Sequence, residues 1–223
     1  MSIYVLIPAY NEAERVRAVI EAARALLRTL VIDDGSSDGT AEVAQDAGAT
    51  VLRQVPNQGK GAALKEGFRW ALLQPDCEAV LTLDADGQHD PAEIPKFLHA
   101  RATHGSDLII GYRNFQEMPF KRRVANTVGT FSLSWALGRK ILDNQSGYRL
   151  ISRRLMQATL ESAEAGFEFE VDMVVLCIRR GFRLDWVPIR TIYAGEGSHI
   201  KPWPHVKNFF RVVLKTRRLM KAA

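Results

Sequence analysis

The sequence predicts an α/β protein in which a mostly parallel, Rossmann-like sheet is flanked by helices on both faces. Apolar runs at residues 3–7, 30–32 and 79–83 are each followed by polar residues and then by a stretch with helical spacing. Continuous apolar runs of this length are typical of strands buried on both faces. Strands that alternate with helices favour parallel pairing, because each helix returns the chain to the same end of the sheet.

The first half of the chain divides into elements in a regular order. Pro8 stops the first strand, and Asn11 is predicted to be the N-cap of the helix that follows. Gly48 ends a second helix, and Pro91 is expected at the first position of a later one. The predicted strands are residues 3–7, 30–32, 50–52, 79–83 and 107–111; the second helix is predicted at 40–47 and a third at 60–73.

After Tyr112 the pattern is less regular. A helix is predicted to follow the basic residues 121–123 and to end near Leu137, and a strand is predicted near residues 183–187. Residues 167–172 alternate acidic and apolar side chains, so that both a strand and the start of a helix remain open. The sequence has no internal repeat or linker. We therefore expect one domain at residues 1–204, with a basic amphipathic helix at 205–223.

Composition indicates a globular protein with an ample core. Of the 223 residues, 47% are apolar and 25% are charged, which excludes a disordered, collagen-like or coiled-coil chain. No apolar run approaches the roughly 18 to 20 residues that span a bilayer, and the N-terminus does not resemble a signal peptide. Cys77 and Cys177 lack the spacing of metal ligands. We therefore expect reduced thiols and a cytoplasmic location.

The net charge of +5 indicates anionic partners. An excess of this size suits phosphate-bearing ligands or an anionic membrane surface. Nucleic acid is not expected, because no basic run is interleaved with aromatic residues as in a single-strand binding platform.

Acidic side chains follow the predicted strands, at the edge where open parallel sheets bind ligands. Asp84 and Asp86 stand two residues apart at the end of a buried strand, where their repulsion calls for a cation. Together with Gln88 they would offer the hard oxygen ligands that Mg²⁺ or Mn²⁺ prefers. The alternative is that Asp84 caps a turn and Asp86 lies in a simple loop.

Several motifs carry a resemblance to a known family. They are residues 5–12 (VLIPAYNE), 31–40 (VIDDGSSDGT), 57–63 (NQGKGAA), 83–89 (LDADGQH) and 146–149 (SGYR). In this order they resemble the family 2 glycosyltransferases, which have the GT-A fold, and within them the polyprenol-phosphate glycosyltransferases. The resemblance extends over roughly residues 3–200.

The resemblance implies an inverting transfer of a hexose to a polyprenyl or dolichyl phosphate. The donor would be a nucleotide-diphosphate sugar of the GDP-mannose or UDP-glucose type, and Mg²⁺ or Mn²⁺ would be the cofactor. Two alternatives remain open: a family 2 transferase that acts on a hydroxyl group, and a non-catalytic subunit that binds nucleotide sugars.

The resemblance also implies a donor site that extends over several motifs. Its expected members are Pro8, Ala9, Tyr10, Glu12, Asp33, Asp34, Lys60, Asp84, Ser146, Arg149, Arg190, Ser198, His199 and Lys201. Asp84, Asp86 and Gln88 are the expected metal ligands, and Gly147 is expected to supply a turn with positive φ. The glycine-rich loop at 193–201 is expected to close over the donor diphosphate.

The expected catalytic residues are Asp86, Arg113, Arg123 and Glu170. A lipid monophosphate arrives largely as a dianion and needs no general base, so that a cationic clamp suffices to orient it. Arg113 and Arg123 resemble the two acceptor-phosphate positions of the family, with Arg122 as an open alternative to Arg123. Glu170 is expected to face the hydroxyl groups of the sugar.

The C-terminal segment combines basic and apolar helical faces. Lys207, Arg211, Lys215 and Arg218 would share one face, with Val206, Phe209, Phe210, Val213 and Met220 on another. Such a helix can lie in an anionic membrane interface, which is the expected peripheral contact. Docking of its apolar face on the domain is the alternative. A membrane subunit that presents the lipid is a further expected partner.

Overall fold

Strands and helices follow the predicted order in the computed structural model, which describes residues 2–166, 168–190, 192 and 202–221. The strands are β1 (Ser2–Ala9), β2 (Arg28–Asp33), β3 (Thr50–Arg53), β4 (Cys77–Thr82), β5 (Leu108–Arg113), β6 (Arg149–Ser152) and β7 (Leu184–Ile189). The helices are α1 (Ala13–Arg24), α2 (Thr40–Asp46), α3 (Lys60–Leu73), α4 (Ile94–His104), α5 (Phe120–Leu137), α6 (Arg153–Thr159), α7 (Glu168–Arg179) and α8 (Pro202–Lys221).

The strands form a sheet in the order β3-β2-β1-β4-β6-β5-β7. The pairs β1–β2, β1–β4, β2–β3 and β5–β7 are parallel, which confirms the predicted mostly parallel sheet. β6 runs antiparallel between β4 and β5 and was not predicted. It has only four residues, and its first one, Arg149, belongs to a motif that the family resemblance assigned to the ligand site.

Both faces of the sheet are covered, which explains the uninterrupted apolar run of β1. Tyr4 and Leu6 pack in a cluster with residues of α3, α6, α7 and α8. Val5 and Ile7 pack on the opposite face with residues of α1 and α4. Successive side chains of a strand point to opposite faces, and a strand between two helical layers therefore needs apolar residues at every position.

The prediction that Asn11 caps the first helix is wrong. Asn11 has a positive φ of 55°, and its Oδ1 accepts a hydrogen bond from the backbone of Ser37. α1 begins at Ala13, whose backbone N–H donates to Asp38 Oδ2 at 3.0 Å. Asp38 Oδ1 also accepts from the N–H of Thr40, the first residue of α2. One carboxylate thus binds the start of two helices and ties the loops after β1 and β2 together.

α8 docks its apolar face on the domain. Phe209, Val212 and Val213 are buried in the core cluster that also contains residues of α5 and α7. That apolar face is therefore covered by protein, as in the alternative that the sequence left open. No helix in the described part of the chain is long and apolar enough to cross a membrane.

Candidate active site

The ends of β1, β2 and β4 bring three of the sequence motifs to one edge of the sheet. Ala9 pairs with Asp33 in the register of β1 and β2, and the N–H of Asp34 donates to the carbonyl of Ala9 at 2.8 Å. On the other side of β1, the N–H of Leu83 donates to the carbonyl of Leu6 at 3.0 Å. The carboxylates that follow these strands therefore share one edge, as the parallel pairing predicts.

Asp33 and Asp34 are both buried but have different partners. Asp34 accepts hydrogen bonds from the N–H groups of Gln58 and Gly59, each at 2.8 Å, and so fixes the loop that leads into α3. Asp33 Oδ2 lies 3.3 Å from Arg53 Nε, yet it accepts no hydrogen bond within the described structure. Asp33 therefore has an acceptor oxygen that is not used within the described residues, whereas the carboxylate of Asp34 supports the loop before α3.

The β1 end of the edge holds four more of the predicted donor residues. Ala9 is buried, Pro8 is partly buried and Tyr10 exposes about half of its surface, at 51%. Glu12 Oε2 lies 3.0 Å from Arg15 Nη1. The tyrosine ring is thus available for contact with a flat ligand, one residue after Ala9, which pairs with Asp33.

Lys60 joins two carboxylates from distant parts of the chain. Its Nζ lies 2.6 Å from Asp84 Oδ1 and 3.3 Å from Glu170 Oε1. A Cβ atom at residue 147 would lie only 2.7 Å from Asp84 Oδ2 and 2.8 Å from Lys60 Nζ. The expectation of a positive φ at Gly147 is wrong, since this glycine is not among the residues with that backbone conformation. Gly147 is needed because the ion pair leaves no room for a side chain.

The ion pair fixes the charge of both partners. Burial by itself would lower the pKa of Lys60, but the charges of Asp84 and Glu170 outweigh it and raise that pKa above its ordinary value. Burial would likewise raise the pKa of Asp84, but Lys60 brings it down to about 2. Both groups are therefore ionised at neutral pH.

Asp86, unlike Asp84, has no salt-bridge partner among the described residues. Burial and the negative charge of Asp84 raise the pKa of the Asp86 carboxyl to about 6. Its Oδ1 accepts a hydrogen bond from the N–H of Gln88 at 2.9 Å. His89 does not supply the charge, because burial lowers its pKa to about 4 and its Nδ1 accepts from the N–H of Asp84. This corner of the site would be stabilised by a cation.

The donor set after β4 fits a hard divalent ion. Asp84, Asp86 and Gln88 offer two carboxylates and an amide oxygen, which suit Mg²⁺ or Mn²⁺. Within the described residues, no cluster of three or more His, Cys, Asp or Glu side chains could hold a metal ion. The three residues would therefore leave coordination positions for water or for the phosphates of a ligand.

Arg149 lies beneath the site and does not line it. Its fully buried guanidinium donates to the carbonyls of Ser146 at 2.8 Å and Asn144 at 3.2 Å, and to the carbonyl of Glu170. Ser146 is itself fully buried. These contacts differ from the direct donor contacts that the resemblance implied, because β6 runs inside the sheet and takes Arg149 with it. Arg149 ties the loop before β6 to the first turn of α7.

Arg113 is held at the end of β5 by a buried carboxylate. Its Nε and Nη2 lie 2.7 and 3.0 Å from the two carboxylate oxygens of Asp143, which is fully buried. Asn126 on α5 adds a contact of its Oδ1 with Arg113 Nη2 at 3.3 Å. The charge of Arg113 also contributes to the low pKa of Asp84. The charge of Arg113, at the predicted acceptor position, therefore helps to lower the pKa of Asp84, one of the predicted donor residues.

Arg122 and Arg123 occupy different faces of α5. Arg122 precedes Asn126 by four residues, so the two share a face, and Asn126 Nδ2 donates to the carbonyl of Arg122 at 2.8 Å. The guanidinium of Arg123 lies over the ring of Phe120, 5.5 Å from its centroid. Helical geometry therefore places Arg122, and not the preferred Arg123, on the side of Arg113.

Glu170 lies in the first turn of α7, which decides the choice left open at residues 167–172 in favour of a helix. Its carboxylate is buried and directed at Lys60. Asp172, two residues later, accepts a hydrogen bond from Ser162 at 2.6 Å on another side of the helix. Of these two acids, only Glu170 reaches the candidate site.

The chain after β7 returns to the metal-ligand loop. Arg190 is exposed at the end of β7, and the N–H of Ile192 donates to the carbonyl of Gln88 at 3.1 Å. Through this contact Ile192 lies beside Gln88, one of the predicted metal ligands. Ser198, His199 and Lys201 were also predicted to contact the donor, and they lie outside the described residues.

Asp143 and Asn126 were missed by the sequence reasoning. Both contact Arg113, from 30 and 13 residues away. Asp143 stands three residues before the SGYR motif. An acidic residue so close to a motif of the expected ligand site was a signal that it could pair with one of the arginines expected to bind phosphate. Asn126 carried no signal, because a polar residue in a half-exposed helix is ordinary.

The sheet order and the acidic edge define a Rossmann-like α/β protein of the GT-A type. The model of the family described as "Glycosyl transferase family 2" matches residues 4–160. The chain belongs to this family, and it is thus a glycosyltransferase.

Two relatives and two solved structures of one enzyme add detail. The chain is 32% identical over 204 residues to the undecaprenyl-phosphate mannosyltransferase of Micrococcus luteus (85% of this chain, 83% of that protein). It is 33% identical over 202 residues to the polyprenol monophosphomannose synthase of Mycolicibacterium smegmatis (83% of this chain, 75% of that protein). Its fold resembles glucosyl-3-phosphoglycerate synthase from Mycobacterium tuberculosis in complex with phosphoglyceric acid, with a TM-score of 0.74, 23% identity and coverage of 97% and 78%. The same enzyme in complex with Mn²⁺, UDP and glucosyl-3-phosphoglycerate gives a TM-score of 0.70, with 23% identity and coverage of 96% and 78%.

Proposed function

We propose that this glycosyltransferase moves a hexose, with inversion, from a nucleotide-diphosphate sugar to a polyprenyl phosphate. The observation that carries the proposal is that β4 and β5 end at the same edge of the sheet, because both run antiparallel to β6 and pair with its Arg149. The cationic Arg113 at the end of β5 therefore lies at the same edge as the acidic residues after β4. The names of the two relatives support the same acceptor class and favour mannose as the sugar. The donor would be of the GDP-mannose or UDP-glucose type.

The ion pairs of the site support an acceptor that is already ionised. Lys60 forms ion pairs with Asp84 and Glu170, and Arg113 forms one with Asp143. A carboxylate held by a cation has a low affinity for protons and is a poor general base. A phosphate dianion needs no such base, because its oxygen can attack the anomeric carbon directly.

On the donor side, Asp33 and Tyr10 would bind the base and ribose, and Lys60 would contact the diphosphate. The free acceptor on Asp33 suits an N–H of the base or a ribose hydroxyl. Mg²⁺ or Mn²⁺ bound by Asp84, Asp86 and Gln88 would supply positive charge to the leaving diphosphate. Lys60 stands at the N-terminus of α3, where the helix dipole also favours an anion.

On the acceptor side, Arg113 and Arg122 would hold the phosphate in line with the anomeric carbon. Asp143 orients Arg113, and Asn126 connects Arg113 to the first turn of α5. A guanidinium whose orientation is already fixed loses little entropy when it binds phosphate.

We also propose a cytoplasmic location with peripheral contact at the inner face of the membrane. The reduced, buried Cys77 and Cys177 are consistent with it, and the acceptor would be embedded in lipid. A membrane subunit that presents the acceptor stays a prediction.

Product formation with a short-chain, water-soluble polyprenyl phosphate tests the proposal. GDP-mannose and UDP-glucose would be supplied in parallel with Mn²⁺, and the matched polyprenol without phosphate would serve as the control acceptor. We expect glycosylated lipid phosphate from one donor and no product with the polyprenol. Product from the polyprenol, or donor binding without turnover on either acceptor, would contradict the proposal.

Transfer to a hydroxyl group is the second candidate. The observation that favours it is the pKa of about 6 for Asp86, which lies in the range of a general base. The control acceptor in the same assay distinguishes the two candidates, because only this mechanism would glycosylate a free alcohol.

A further inference from the structure

α5 exposes an apolar stripe along its whole length. Its members, which we call the α5 stripe, are Phe120, Val124, Val128, Phe131 and Trp135, and each exposes between 45% and 73% of its surface. At 3.6 residues per turn they lie within an arc of about 80°. The opposite face of the helix, with Leu133 and Leu137, is buried in the core. The stripe is therefore not needed to hold α5 on the domain.

The stripe continues onto α8. Phe210, Leu214 and Arg217 share a face because they are spaced four and three residues apart, and both apolar members are exposed. Arg217 lies over the ring of Trp135, 4.8 Å from its centroid, and donates to the carbonyl of that residue. Two neighbouring helices thus present one apolar surface.

This surface lies within the most basic part of the protein. Residues 118–142 and 202–221 contain 11 of the 30 Lys and Arg residues and none of the 25 Asp and Glu residues. The rest of the chain therefore holds 19 basic and 25 acidic residues. The net charge is modest, but the charges are unevenly distributed. The positive charge is concentrated on the two helices that carry the exposed aromatic residues.

We propose that the α5 stripe docks this protein on an anionic lipid bilayer, with its aromatic side chains in the interfacial region. Aromatic residues bordered by Lys and Arg are typical of surfaces that lie in a membrane interface. The arginines that cover the Phe120 and Trp135 rings would reach the lipid headgroups at both ends of the stripe. A second copy of the chain is a poorer occupant, because face-to-face association would oppose two strongly basic surfaces.

The choice of a bilayer rests on the proposed lipid-linked acceptor. The stripe begins at Phe120, in the same first turn of α5 as Arg122, and Asn126, the partner of Arg113, follows in the next turn. Docking would thus bring the cationic clamp to the depth of a lipid phosphate. The bilayer contact differs from the one expected from the sequence, since Phe209, Val212 and Val213 of α8 are buried and α5 supplies most of the exposed apolar surface.

Sedimentation with vesicles tests the docking surface without any substrate. The probe variant is Val128→Ser with Phe131→Ser, and the matched control is Val55→Ser with Leu73→Ser, two residues that are 73% and 79% exposed elsewhere. We expect wild type and control to bind vesicles of equal parts phosphatidylcholine and phosphatidylglycerol. The partition coefficient of the probe variant should be lower by a factor of about ten or more. Binding should also weaken with added salt and on pure phosphatidylcholine.

Three outcomes would overturn the proposal. They are wild-type protein that does not sediment with anionic vesicles, a probe variant that binds as tightly as the control, and a wild-type dimer that the probe variant converts to a monomer in sedimentation velocity. Circular dichroism and thermal melting would verify that both variants fold. Turnover on the soluble short-chain acceptor separates this proposal from the proposed function, because that reaction needs no bilayer.

Discussion

Arg113 and Asp143 form a two-point ion pair in which both carboxylate oxygens of Asp143 accept from the guanidinium, at 2.7 and 3.0 Å. The carboxylate is fully buried, whereas the arginine retains 16% exposure of its side chain. A buried partner on one side leaves the guanidinium in a single orientation at the end of β5. This relationship makes Asp143 a positioning residue for the proposed acceptor site.

Asp143→Asn should therefore impair use of the acceptor more than binding of the donor. The amide keeps the shape but loses one acceptor and the charge, so that Arg113 loses its fixed orientation. We expect KM for the short-chain polyprenyl phosphate to rise about tenfold or more, while the Kd of the nucleotide changes little. Steady-state kinetics and nucleotide titration measure the two quantities. An equal loss of both affinities would count against the positioning role.

Arg122→Ala and Arg123→Ala should differ in their effects. Arg122 shares a helical face with Asn126, which contacts Arg113, whereas Arg123 lies over Phe120. We expect Arg122→Ala to raise the acceptor KM about tenfold or more and Arg123→Ala to raise it only slightly, because a well-formed charged hydrogen bond is worth roughly 1.5–3 kcal/mol. The same kinetic assay compares both variants. The reverse order would restore Arg123 as the clamp.

Asp86→Asn should abolish the metal dependence of turnover. Asp86 has no salt-bridge partner in the part of the chain that the structure describes, and burial and the charge of Asp84 raise its pKa. Removal of its charge weakens any divalent site in the loop after β4. We expect activity with Mn²⁺ to fall about a hundredfold or more. Thermal shift with a nucleoside diphosphate should lose its Mn²⁺-dependent increment. The exposed Asp76 supplies the control variant Asp76→Asn, which should behave as wild type.

Lys60→Met should make the protein less stable and more responsive to metal. Asp84 and Glu170 would lose their shared cation, and breaking such a buried pair costs roughly 3–5 kcal/mol. We expect the Tm to fall and Mn²⁺ to restore part of it, with a larger increment than in wild type. Lys65→Met on the same helix is the control and should show the same Mn²⁺ increment as wild type. A Lys60 variant with wild-type Tm would refute the pairing.

Gly147→Ala should disturb the same ion pair from the other side. The added Cβ would lie within 2.7–2.9 Å of Asp84 and Lys60. Forcing these groups apart should cost roughly 1–3 kcal/mol of the free energy of unfolding and should also lower turnover. Denaturant unfolding and the transferase assay measure the two effects. Wild-type stability in this variant would mean that the pair can move aside without cost.

Much of the fold was predictable because strand burial and helical spacing are local patterns. The parallel order, the start of α3 at Lys60 and the polar residues after the strands follow from stretches of a few residues each. β6 was missed because four residues are too few for a periodic signal, and its position between β4 and β5 depends on distant pairing. The cap of α1 was misassigned because the carboxylate that accepts from the N–H of Ala13, that of Asp38, comes from the next loop.

The sequence by itself determined the α/β class, the order of the motifs and the membership of the chain in the glycosyltransferase family. Tertiary structure decided which charges neutralise each other: Lys60 with Glu170, and Arg113 with Asp143. It also buried Arg149 beneath the site and left one face of α5 exposed beside the docked α8. Local patterns repeat every two to four residues and can be recognised in the sequence. Ion pairs and covered surfaces join residues that meet only when the sheet is assembled.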